Sequence, residues 1–122
     1  MPFIKALVAA CLGVSSVIAL AQEAPDGDAR RGQKLFVADG CYQCHGYQGQ
    51  GSNAGSKLAP NPLPYAAMAV LVRQPRARMP AYSSTILPDQ DLADIHAYLA
   101  TIPRAKAVDD IPLLRGARST LP

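Results

Sequence analysis

Tryptophan is absent from this 122-residue sequence, histidine occurs twice and cysteine three times. A closed zinc site draws on four nitrogen or sulfur ligands, and so few candidates leave it nothing to spare. Twelve basic residues stand against nine acidic ones, a balance too mild to point to nucleic acid as a partner. No alternating strand pattern appears, no segment repeats, and no second domain is discernible. The longest apolar run, residues 6–21, is 16 residues and contains Gly13, Ser15 and Ser16, short of the roughly 20 that a bilayer core requires.

That run belongs to the opening MPFIKALVAACLGVSSVIALAQ, in which Lys5 precedes the apolar stretch and Ala19-Leu20-Ala21 ends it. This is the layout of a secretory signal peptide, residues 1–21, cleaved after Ala21 and delivering the protein to the periplasm; an uncleaved anchor is the alternative. Val8-Ala9-Ala10-Cys11 is similar to the small-residue box of bacterial lipoproteins, but only five apolar residues separate Lys5 from Cys11. Cys11 is therefore read as part of the discarded peptide. The mature chain has 122 − 21 = 101 residues, a charge of 11 − 9 = +2, and two cysteines, Cys41 and Cys44. It divides into a lead over 22–26, a domain over 27–103 and an extended tail over 104–122, with no membrane span. A chain this small buries a low fraction of its surface and needs a staple, a need that a large apolar cofactor meets.

Within the domain the reading is all-α. APDGDARRGQKLFVADG predicts a helix capped by Asp28 and closed by Gly40, with Gly32 and Phe36 four apart on one face. Residues 46–64, rich in Gly, Pro, Asn and Ser, form a loop of 19 residues, a length that makes sense in a small domain only if the loop wraps something. A short helix over Tyr65–Arg73 follows, stopped by Pro75. LPDQDLADIHAYLATIP then carries Leu92, Ile95, Leu99 and Ile102 on one helical face, with Pro103 beyond its end.

CYQCH, Cys41 to His45, is the densest chemistry in the chain. Cysteines at i and i+3 on a helical turn point both sulfurs to one side, so each can add to a vinyl group of haem, with His45 held beneath the iron as axial ligand; C-x-x-C-H is the haem c attachment signature. Three other readings compete for these residues: a zinc site, a redox dithiol and a structural disulfide. Zinc would have to be completed by His45, directly beside Cys44, and by His96. A dithiol of the thioredoxin kind accompanies a strand-helix-strand pattern that is missing here, while a disulfide is permitted by export.

From Gly27 to Pro103 the sequence resembles the class I c-type cytochromes, small monohaem electron carriers. The resemblance rests on CYQCH, on Gly32 and Phe36 before it, and on MPAY and DIHAYL after it. It implies a cytochrome c fold of three to four short helices and long loops around one covalently attached haem c. It also implies that Gly32 and Phe36 of the first helix meet Ile95 and Tyr98 of the last; the helical period independently puts Gly32, Phe36 and Ile95 on packing faces.

For the second axial position the mature chain offers Met68, Met79 and His96. Met68 lies in an apolar helical run and reads as core, and His96 flanks Ile95 as a boundary residue. Met79 sits in a proline-bearing loop that can deliver its thioether to iron, and it matches the family's Met-Pro ligand loop. The sequence departs from the family where a Gly-Pro-x-Leu stretch supplies a carbonyl to the axial imidazole: here it reads Gly55-Ser56-Lys57-Leu58, leaving Ser56 to supply that carbonyl.

The resemblance implies a one-electron carrier and not an enzyme, taking electrons from a periplasmic dehydrogenase and passing them to another cytochrome or a terminal oxidase. A haem peroxidase or gas-binding protein with an open iron is the alternative. Arg73, Arg76 and Arg78, just ahead of Met79, read either as a ring around the exposed haem edge that steers an acidic partner or pairs with the haem propionates, or as a solvated basic loop.

Overall fold

The computed structural model describes residues 24–115 and contains no strand among them. The expected signal peptide, residues 1–21, and the last residues of the tail lie outside the described residues.

Asp28 caps the first helix, α1 (Ala29–Ala38), its carboxylate accepting the N–H groups of Arg30 at 2.8 Å and Arg31 at 3.1 Å. These bonds satisfy amides that have no partner within the helix. Gly40, at φ 77°, turns the chain out of α1 and into α2 (Cys41–His45), one turn of helix made of the CYQCH residues. Tyr65–Arg73 forms α3 and Asp89–Thr101 forms α4. Pro64 and Pro88 immediately precede these two helices, where a missing N–H costs nothing.

The central packing is α1 against α4. Gly32 is buried there, and a Cβ added to it would fall inside the van der Waals shell of the Asp94 carbonyl and 2.8 Å from the Ile95 nitrogen. One helix backbone thus lies directly on the other, which is why position 32 carries no side chain. Beside this contact the Phe36 and Tyr98 rings sit 5.7 Å apart at a tilt of 56°, a favoured arrangement for an aromatic pair. Phe36, Leu92, Ile95 and Leu99 are all buried, as the helical periods require.

Asp94, only 1% exposed, is a charge within this interface. It accepts the Asp28 N–H at 2.8 Å and the Gln90 amide at 3.1 Å, and pairs with Arg31, which also reaches Asp91. Burial pushes its pKa up, but the Asp28, Gln90 and Arg31 interactions together outweigh burial, and the net direction is down. A carboxyl depressed in the folded state stabilises above its unfolded pKa of about 3.9, and that contribution disappears as pH falls through the folded value. Asp94→Asn is expected to lower stability by about 2 kcal/mol at neutral pH, the scale of a hydrogen bond to a charged group. It should also flatten the loss of stability below about pH 4. Urea titrations at a series of pH values measure both effects; an acid limb as steep as the parent's would exclude Asp94 as its source.

After α4 the described part of the tail is less extended than its lack of period predicts. Val108–Asp110 form a 3-10 turn and Pro112–Arg115 a short helix, α5. Among the described residues the domain thus has the four helices α1 to α4, within the three to four expected, and α5 lies in the tail. Leu113 of α5 is 91% exposed, so it does not pack on the domain.

Candidate cofactor site

The 19-residue loop predicted over 46–64 is organised around Gly49. At φ 64°, Gly49 adopts the left-handed conformation that glycine tolerates best, and its carbonyl accepts both the Leu58 N–H at 2.7 Å and the Ala59 N–H at 2.9 Å. The Gly51 N–H bonds back to the His45 carbonyl at 2.8 Å, and the Ser52 hydroxyl donates to the Cys44 carbonyl at 2.6 Å. The loop is therefore fastened at several points to the end of α2.

These bonds bring the Ser56 carbonyl to His45. His45 Nδ1 lies 2.6 Å from Ser56 O; a carbonyl can only accept, so Nδ1 carries a proton and Nε2 is the nitrogen left to meet a metal. The acceptor is a backbone oxygen, so the serine supplies the bond where the resembling family has proline. His45 itself is buried.

Between α1, α4, α3 and the loops lies a largely apolar cavity of about 250 Å³. Cys41, His45 and Met79 all line it, together with Phe36, Ile95 and Leu99 of the α1–α4 packing. Cys44 is exposed and is not among the lining residues. His96 is outside the lining as well; its Nε2 is 2.9 Å from the Leu63 carbonyl and its ring meets Tyr65 edge-on. Met68 is buried in α3 as expected of a core residue, yet it also borders the cavity.

Burial first, and then the neighbouring Asp39 carboxylate, push the Cys41 thiol up to about 11. A redox dithiol, which reacts as the thiolate, requires the opposite direction. Among the described residues no group of three or more His, Cys, Asp or Glu side chains is arranged to hold a metal ion. The dithiol and zinc readings of CYQCH both lose ground. An apolar cavity with a paired imidazole, a thioether and a neighbouring cysteine on its wall fits a flat, largely apolar cofactor carrying an iron.

Residues 27–99, more than half of the chain, match the family model described as cytochrome c oxidase, cbb3-type, subunit III. The chain belongs to this family. It is a small c-type cytochrome domain with an all-α fold, its cofactor is covalently bound haem c, and it acts in haem-based electron transfer. No match is found among curated proteins or among solved structures. No described helix of the cytochrome domain is long and apolar enough to cross a membrane.

The structure corrects the sequence reading of one arginine in this cytochrome. Arg73 does not join Arg76 and Arg78 as an exposed cation: its Nη1 donates to the Tyr82 carbonyl at 2.9 Å and its Nη2 to Asp89 at 2.7 Å. Sequence reasoning also passed over Tyr82, whose hydroxyl donates to the Asp39 carbonyl at 2.8 Å. The available signal was its position in MPAY, three residues after Met79.

Proposed function

We propose that this cytochrome is an exported one-electron carrier, freed of residues 1–21 and working in the periplasm. Cys41 and Cys44 hold the haem through thioethers, and His45 and Met79 are the axial ligands of its iron. The carrier takes electrons from a periplasmic dehydrogenase and passes them to another cytochrome or a terminal oxidase; the oxidase description of its family supports the second half of that route.

The observation that carries this reading is the 2.6 Å bond between His45 Nδ1 and the Ser56 carbonyl, on the wall of the cavity that Met79 also lines. That bond fixes the imidazole plane and orients Nε2. When bound, the haem iron supplies a reversible one-electron change of oxidation state. His45 and Met79 would hold the iron from the cavity wall, and a thioether ligand would favour its reduced form. Closed coordination suits electron transfer and leaves no position for peroxide or a gas.

The test is the optical spectrum of the ferric protein, produced in a host with haem attachment machinery. The weak red band of methionine sulfur on iron is the expected result. A c-type spectrum lacking that band would favour the peroxidase or gas-binding alternative, and protein without haem absorbance would sink the proposal.

A further inference from the structure

The segment that delivers Met79 has little structure of its own. Residues 75–81 form no helix or strand, only a turn at 77–78, and Ala77 sits at φ 61° without being glycine. A segment of this kind opens locally at low cost unless its ends are held. Met79 lines the cavity nevertheless.

The hold converges on Tyr82. Its N–H donates to the Val72 carbonyl at 3.0 Å, its carbonyl accepts from Arg73 Nη1 at 2.9 Å, and its hydroxyl donates to the Asp39 carbonyl at 2.8 Å. The first two bonds tie the loop to the end of α3, and the third ties it to the turn two residues before Cys41. Arg73 carries the tie onward to Asp89, the first residue of α4. Asp89 is exposed, so that ion pair adds little. The Arg73 bond to the Tyr82 carbonyl and the Tyr82 hydroxyl bond are both half-buried, where an unmade partner is more costly. Burial, with the nearby Asp39 carboxylate, pushes the Tyr82 phenol up, keeping it a donor.

We infer that Arg73 and Tyr82 are positioning residues: they clamp the 74–88 loop between α3, α4 and the α1–α2 turn, and thereby set how readily the Met79 sulfur leaves the iron. This rests on the axial role proposed for Met79. The clamp differs from partner steering, since it acts through carbonyls inside the domain and not through an exposed charge.

The experiment is the rate at which imidazole displaces the sulfur from the ferric holoprotein, followed as loss of the red band well below the unfolding temperature. Tyr82→Phe keeps the ring and both backbone bonds and removes only the hydroxyl bond; Arg73→Gln removes the guanidinium bonds. Each is expected to raise the displacement rate about tenfold, the scale of one half-buried hydrogen bond. Lys34→Gln, on the exposed side of α1, should leave the rate unchanged. If Arg73→Gln does not fold, Tyr82→Phe carries the test alone. A parent protein with the red band whose variants match its displacement rate overturns the clamp and spares the Met79 assignment. A parent without the band overturns that assignment, and the clamp with it.

Discussion

Met79→Ala is expected to abolish the weak red band of the ferric protein, let carbon monoxide shift the ferrous spectrum, and lower the reduction potential. A thioether is a soft, neutral ligand that stabilises reduced iron relative to oxidised iron, so replacing it with water or a stronger donor favours the ferric form. The fall should be a few tenths of a volt, within the roughly 0.8 V over which axial ligation tunes haem. Met68→Leu is the paired control, because Met68 borders the same cavity but is fixed within α3. Its volume is nearly conserved, and the cost of such a swap is below about 1.5 kcal/mol. If the band survived in Met79→Ala and vanished in Met68→Leu, the two methionines would have to exchange roles. Optical titration of potential on the two variants and the parent decides the matter.

Gly32→Ala is the second large effect, and two rules oppose each other there. Helix propensity favours alanine over glycine by about 1 kcal/mol in a helix interior. Against this, the added Cβ meets the Asp94 carbonyl and, at 2.8 Å, the Ile95 nitrogen. Those are backbone atoms of α4, which cannot rotate aside as the end of a side chain would. Relief requires α1 to move off α4, opening the packing that buries Phe36 and Leu99 and disturbing the Asp94 bonds to the start of α1. Overpacking of this kind costs about 3 kcal/mol at the upper end of its usual range. The net is a loss of about 2 kcal/mol and a fall in Tm on the order of 10 °C for a domain of this size. Thermal melting of the holoprotein measures it; a Tm equal to or above the parent's would mean that α1 and α4 do not lie as closely as the structure has them. Gly32→Val should be worse, with too little folded protein to melt.

Much of this was legible in the residues. The Asp28 cap, the turn at Gly40, the limits of α3 and the buried face of α4 follow from local rules, because a helix end needs a hydrogen-bond acceptor and a helix face repeats every three to four residues. Cys41, Cys44 and His45 fall in one short stretch of chain, so the attachment motif is visible as a string. Residues 27–103 resemble the c-type cytochromes on that string and a few distant residues, and the family match over residues 27–99 agrees.

Other features were not legible for a common reason. Arg73 looks like a third cation beside Arg76 and Arg78 because sequence shows a charge and not its partner; only the folded chain brings Tyr82 and Asp89 to it. Asp94 reads as one of three acidic residues on the last helix, yet it is the one turned inward onto the Asp28 amide, 66 residues away.

The sequence by itself determined the class of structure, the cofactor and the ligand candidates, since covalent attachment and helix formation depend on residues close together along the chain. Tertiary structure alone decided that Met68 shares the cavity with Met79, and that Arg73 bonds the Tyr82 carbonyl. Each of these depends on a backbone carbonyl or a cavity wall, and every residue type brings the same carbonyl. What distinguishes one from the next is where the fold puts it.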